Sequence, residues 1–217
     1  MANEECAGQA QACLIRVARL DPTTGAPLAG DGNLYVTEAM ISLEWSPDIA
    51  TGDELEATNG CGEECVYFRA DDRVRKLDLT LTLCTPAPEL IEMLAGGTIH
   101  ALSAVTTGYG LPAPGAISTG DTSIELWEKI IVDQSVAGYA RHVLPRTRGW
   151  RQTGETFQND VLSPVLEGFG VQAGAWGDGP GGDWSDLSDE DVVFKDWALE
   201  ANALPVAVCG SQALVLA

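Results

Sequence analysis

The sequence predicts a mainly β protein, a β-sandwich or barrel with one or two short helices and long loops, and three observations carry this. From Val74 to Cys84, VRKLDLTLTLC, the residues Leu77, Leu79, Leu81 and Leu83 alternate with Asp78, Thr80 and Thr82. That period of two belongs to a strand with one apolar and one polar face. Helical periodicity is scarce along the rest of the chain. Stretches rich in glycine, proline and acid separate the short apolar runs. With 217 residues the chain is read as a single domain, residues 1–217.

Taken in order, residues 1–12 read as an N-terminal arm and Leu14–Leu20 as a strand. Met40–Trp45 alternates again, with Ile41, Leu43 and Trp45 on one face and Ser42 and Glu44 on the other. Ser46 to Glu64 reads as a loop far longer than a hairpin turn, with acids but no lysine or arginine. Val66–Arg69 is a short strand before the strong one. After it, Thr85-Pro86-Ala87-Pro88-Glu89 marks a helix start with proline in the first turn. Leu90, Ile91, Met93 and Leu94 follow, Gly96-Gly97 closes the segment, and the apolar side is expected to plug an open end of the core. Gly108–Gly120 is a Gly/Pro loop. Ser123–Ile131 sets Ile124, Leu126 and Ile130 opposite Ser123, Glu125 and Lys129. Tyr139–Leu144, Val161–Val171 and Leu204–Val208 are weaker strands. The acidic segment 172–200, containing AWGDGPGGDW (175–184), reads as irregular.

Charge excludes several classes. Acids outnumber bases 32 to 12, a formal charge of −20, while 45% of residues are apolar, too many for a charge-driven disordered chain. So acidic a protein is poorly suited to grip phosphate backbones or anionic membranes. No apolar run approaches the length of a membrane span, and MANEECAGQAQACLIRV lacks a basic leader, so a soluble product made in a cytoplasm is expected. No phosphate-cradling glycine loop, HExxH or GxSxG is present, and the chain is expected not to be an enzyme and to carry no cofactor or metal. A Cys–His nucleophile pair of Cys84 or Cys209 with His142 has no support in the spacing. Cys61 and Cys65 could begin a zinc site with Cys84, but neither His100 nor His142 is spaced as a fourth ligand. Cys13, Cys84 and Cys209 lie in apolar runs and read as small buried hydrophobes. Asp71-Asp72 and Asp189-Glu190-Asp191 read as solvated acids rather than calcium ligands.

The charges are unevenly placed. Glu44 to Glu64 carries seven acids and no base, and Asp178 to Glu200 carries eight acids and one lysine, Lys195. Between them Arg141, Arg146, Arg148 and Arg151 occupy a stretch, 134–154, without any acid. Two readings stand: an internal set of ion pairs, or a subunit interface in which this patch meets an acidic loop of a neighbouring copy.

The order of these features resembles a known family. RVARLD (16–21) is followed by a strand leading into SPDIATGDELEATNGCGEEC, then by LTLCTPAPELIEMLAGG, HVLPRTR and GAWGDGPGGDW. Together they look like the major tail tube protein of bacteriophages with long, non-contractile tails, especially those of high-GC Gram-positive hosts. Cys6 and Cys61 are additions to that pattern. The resemblance covers about Leu14 to Val208 and implies a structural virion protein. Its hexameric rings would stack into a tube, with sheets of six copies joined into an inner barrel and genome DNA passing through without being held. It implies a tape measure protein and tail terminator and distal tail proteins as partners, with assembly in the host cytoplasm. On this basis Glu44, Asp78, Thr80, Thr82 and Glu125 are expected to line the lumen. Asp48, Asp53, Glu54 and Glu56 lie in the expected ring-to-ring loop 46–64. The alternative is an acidic β-sandwich decorating a virion or cell surface, or binding a receptor there.

Overall fold

A computed structural model of the chain describes residues 10–58, 61, 64–102, 105–113, 120–132, 134–156, 163–172, 179–180, 193–196, 204 and 210–214. The strands, in chain order, are β1 (Ala10–Leu20), β2 (Gly30–Thr37), β3 (Met40–Ala50), β4 (Glu54–Thr58), β5 (Glu64–Arg69) and β6 (Arg73–Leu83). The helix α1 (Pro88–Ala95) comes next. After it come β7 (Thr98–Leu102), β8 (Val105–Gly110), β9 (Asp121–Val132), β10 (Ser135–Thr156), β11 (Ser163–Gly170), β12 (Phe194–Asp196) and β13 (Gly210–Leu214). The protein is mainly β, with one helix among the described residues. That helix is not long and apolar enough to cross a membrane.

Nine strands make one antiparallel sheet in the order β13–β2–β1–β9–β10–β11–β6–β3, with β12 joined to β10 beside that path. The sheet turns back on itself. Ile15 and Val17 of β1 and Ile124 and Leu126 of β9 share one buried cluster with Leu77, Leu79, Leu81 and Leu83 of β6 and Leu166 of β11. The turn is made within β10, whose 22 residues pair with β9 up to Thr147 and with β11 from Thr147 onward. Just past that corner Arg148 pairs with Phe169 and Arg151 with Glu167, so Gly149 and Trp150 together face only Gly168. Gly149 has φ +66°, the left-handed value that a glycine bulge needs. The bulge drops Trp150 into the core, where it is buried and donates Nε1–H to Thr147 Oγ1 at 2.9 Å.

The helix closes this core as expected: Leu90, Ile91, Met93, Leu94 and Ala95 are all buried. It starts two residues later than the Thr85 signal, with Pro88 in the first turn and Ala87 at the cap. Glu92 on its outer side receives Arg19 of β1 at 2.6 Å. The motif RVARLD also gains a local reason. Asp21 Oδ1 accepts the N–H groups of Thr23 and Thr24 at 2.7 and 2.9 Å, folding the turn between β1 and β2. The two backbone donors hold the Asp21 carboxyl below its ordinary value.

Three expectations are corrected. The stretch 46–64 is not an open loop. Ser46–Ala50 continues β3, and the remainder forms a β-arm, the antiparallel pair β4–β5 separate from the main sheet. The polar face of β9 does not meet water, because both faces of Asp121–Trp127 are buried. Residues from Ala10 belong to β1, so the expected N-terminal arm is at most residues 1–9, which lie outside the described residues. The proposed strand Leu204–Val208 falls outside them apart from Leu204, which packs beneath Leu14, Val36 and Trp127. Most of segment 172–200 and much of the Gly108–Gly120 loop fall outside them too. Strands β2, β7, β8, β12 and β13 carry no alternation strong enough to have been anticipated.

Candidate functional site

Strand register assembles one polar face from residues far apart in sequence. Directly opposed residues on neighbouring strands point to the same side of a sheet. Glu44 stands opposite Thr80, Thr80 opposite Glu167, and Glu167 opposite Arg151, making a row across β3, β6, β11 and β10. The row on one side is Ser46, Asp78, Phe169 and Arg148, and on the other Ser42, Thr82, Val165 and Gly154. Glu44, Asp78, Thr80 and Thr82 are therefore brought together on one side of the half-sheet, while Leu77, Leu79, Leu81 and Leu83 back onto the core. Asp78 and Glu44 are exposed, and Thr80 and Thr82 are half-buried. Glu167 and Arg151 also belong to this face. The alternation in SPVLEGFG could have pointed to Glu167, whereas Arg151 follows the bulge and needs the register.

Glu125 is not part of this face. It is fully buried on the other half of the sheet, with Arg16 on the paired strand β1 as its direct ion-pair partner and Arg141 Nη1 at 3.8 Å. The Arg16 guanidinium also lies 5.1 Å from the Trp127 ring centre. A carboxylate without water keeps its charge only with such partners, so Glu125 is a structural acid.

Acidity on the polar face is largely compensated. Lys76 Nζ sits 2.6 Å from Asp78 and Arg151 3.0 Å from Glu167. Glu44 has no cation among the described residues; its neighbour is the Ser42 hydroxyl at 3.4 Å. A shallow groove of about 460 Å³ crosses the face between Lys76, Arg151 and Phe169 over Gly149 and Gly168. Its charged side chains are paired, Lys76 with Asp78 and Arg151 with Glu167.

The arginine patch is engaged within its own subunit. Arg146 and Arg148 share Asp121 at 2.6 and 2.8 Å, Arg151 meets Glu167, and Arg141 faces Glu125. Arg146 also donates to the Pro22 carbonyl at 2.8 Å, bracing the β1–β2 turn. Of the two readings of this patch, internal pairing is the one these contacts support.

The remaining expected residues sit on and around the arm. Asp48 ends the regular part of β3, Asp53 opens the arm, and Glu54 and Glu56 are exposed on β4. Register divides the arm into two faces: Leu55, Ala57, Val66 and Phe68 on one, and Glu54, Glu56, Tyr67 and Arg69 on the other. The apolar face is open, with Leu55 60%, Val66 47% and Phe68 61% exposed. At the root the two strands cross so closely that a side chain on Gly52 would lie 1.8 Å from the Ala70 carbonyl oxygen. Gly52 N–H donates to Asp72 Oδ1 at 2.9 Å and Ala70 N–H to the Asp53 carbonyl at 3.0 Å.

The Gly52 amide, followed by Arg69, holds the Asp72 carboxyl below its ordinary 3.8. A lowered folded value means the stabilisation is complete above 3.8 and fades as pH falls through the folded value. Hydrogen exchange of the Gly52 amide is thus expected to lose protection on acidification below that point, relative to amides of β1 and β9. Equal protection across that range would show that Asp72 does not hold the root.

A second cleft, of about 420 Å³, opens where β3 faces β9 and β10, lined by Ile41, Leu43, Trp45, Leu126, Glu128 and His142. His142 Nε2 lies 2.9 Å from Glu128, and its ring meets Trp45 at 5.7 Å between centres. These contacts tie the β3 edge to the opposite half-sheet. Cys61 and Cys65 are exposed on the arm, and Cys13 and Cys84 are half-buried. Among the described residues no three His, Cys, Asp or Glu side chains converge as a metal site. No protein-family model matches the chain, and no curated protein matches it.

Proposed function

We propose that this chain is a structural subunit of a phage tail tube, polymerising as stacked rings of six into a conduit for DNA. The observation that carries this is the half-sheet β3–β6–β11–β10: one side is polar and the other backs onto the core, it ends in β3, which pairs with no second strand among the described residues, and it continues into the arm. An 11-residue edge strand is a template for another strand. Joining copies there would line a channel with Glu44, Asp78, Thr80, Thr82, Glu167 and Arg151. Such a wall would not hold DNA, because its cations are already paired and Glu44, without a cation among the described residues, repels phosphate. On this reading the arm spans from one ring to the next. A tape measure protein would occupy the lumen before the DNA, and terminator and distal tail proteins would cap the ends.

Electron microscopy of concentrated protein is expected to show hollow tubes or six-fold rings. Monomers or trimers under all conditions would instead favour the decoration or receptor-binding alternative. A finer test is the pair Glu44→Lys and Asp78→Lys. Both positions are exposed on the polar face, so tubes should still assemble while DNA release slows several-fold, since phosphates would now find unpaired cations. Release at the parent rate would remove this face from the lumen.

A further inference from the structure

The two cysteines of the arm have no part in the reading above. Strands β4 and β5 close on Thr58 opposite Glu64, and Cys61 stands midway along the sequence between them. Cys65 follows Glu64 directly. The pairing slips there: Ala57 faces Val66 and Thr58 faces Glu64, so Cys65 is the extra residue of a β-bulge. Its thiol reaches across to β4 and donates to the Ala57 carbonyl at 3.2 Å, which sets the sulfur beside the last strand pair of the arm. Both residues are exposed, whereas Cys13 and Cys84 are half-buried. Cys84 follows the far end of the 11-residue β6, about 30 Å from the arm root. It therefore supplies no third ligand to the pair, and among the described residues no metal cluster forms.

A disulfide needs Cα atoms within about 7 Å of each other. Three peptide steps from Thr58 carry Cys61 at most about 10 Å from the closed pair. Glycine on each side of it, Gly60 and Gly62, gives the chain freedom to turn back toward Cys65. Two arms repel each other, because Glu44 to Glu64 holds seven acids and no base. A partner four residues away has an effective concentration of about a millimolar or more, so closure within one arm outruns the joining of two. We propose that Cys61 and Cys65 form a redox clasp across the arm turn, open as a dithiol and shut by exchange with a small disulfide such as oxidised glutathione. The Cys65 thiolate attacks one sulfur of the small disulfide, giving a mixed disulfide and releasing one thiol. The Cys61 thiolate then attacks the Cys65 sulfur, forming the Cys61–Cys65 bond and expelling the second thiol. The two cysteines are oxidised, the small disulfide is reduced, and the two thiol protons pass to the released thiolates. The shut clasp ties β4 to β5 where their pairing slips. It requires only the arm itself and does not depend on the proposed tube.

The test treats the full chain with oxidised glutathione, blocks the remaining thiols and maps the products by mass spectrometry. Cys61 and Cys65 are expected to lose their thiols together, in a species lighter by two hydrogens and carrying no glutathione there. Hydrogen exchange of the β4 and β5 amides should slow several-fold relative to those of β1 and β9, and reduction should reverse both changes. Cys61→Ser or Cys65→Ser alone should instead keep glutathione on the cysteine that remains and show no slowing. Both positions are exposed, so these variants should melt as the parent does. Without any oxidant, phenylarsine oxide, whose stable binding takes two neighbouring thiols, should bind the parent arm and not that of Cys61→Ser/Cys65→Ser. Glutathione persisting on both cysteines of the parent would overturn the clasp, as would chains joined through their arms on a non-reducing gel. Closure with unchanged exchange in β4 and β5 would overturn its hold on the two strands. An arm that leaves phenylarsine oxide unbound would show the two thiols to be out of reach of each other.

Discussion

Glu125→Ala is expected to destabilise the fold by about 3–5 kcal/mol. Glu125 is fully buried between Arg16 and Arg141, whose side chains are themselves largely covered. Removing the carboxylate takes the direct ion-pair partner from the largely covered Arg16 guanidinium, and the cost lies in that buried charge more than in a lost attraction. Replacing all three together, as Arg16→Met/Glu125→Leu/Arg141→Met, should therefore cost far less than the single change. Urea unfolding monitored by tryptophan fluorescence would measure both, with a shifted midpoint at constant slope as the expected signature. A single variant as stable as the parent would show that the triad is not the electrostatic centre of this half-sheet.

Trp150→Ala is the second large effect, about 3–5 kcal/mol. The indole is 2% exposed, fills the core beneath the bulge where β10 changes partners, and bonds the Thr147 hydroxyl, which also meets Thr122 at 2.8 Å. It occupies the space that a side chain at position 168 would need: a Cβ on Gly168 would lie 2.4 Å from the indole Cδ2. Gly168→Ala should accordingly destabilise, by about 1–3 kcal/mol. The double variant Trp150→Ala/Gly168→Ala should lose less than the sum, because the smaller core accepts the added methyl. A coupling of that sign in a double-mutant cycle would confirm the contact, and strict additivity would refute it.

Local patterns carried much of the fold. The alternation of Val74–Cys84 foretold which side of β6 is wet, and the proline-to-glycine punctuation of 85–97 foretold the helix and its buried side. Period-two spacing is a property of the strand itself, so it survives whatever the strand pairs with. The arm was legible as long and acidic. Its division into faces is also present in the alternation of Glu54, Leu55, Glu56 and Ala57, which the run of acids hides.

Partnership is different. Arg146 and Arg148 looked unattended because no acid lies near them in the chain, yet Asp121, 25 and 27 residues away, meets both across a strand pair. Glu125 has the same spacing as a solvent-facing acid, and only the covering of its side of β9 makes it a structural one. Composition and period thus determined that this is an acidic β protein with a half-polar strand, a plugging helix and an acidic excursion after β3. The tertiary structure decided which charges cancel, through register and burial. The net charge of −20 met at the outset is therefore not spread evenly over the surface. Most cations pair with acids of the same chain, four of them with the buried Asp121 and Glu125. One polar face is nearly balanced, and the arginines without an acidic partner among the described residues, Arg73 and Arg75, lie at the arm root, because cross-strand neighbours are set by pairing over long sequence distances.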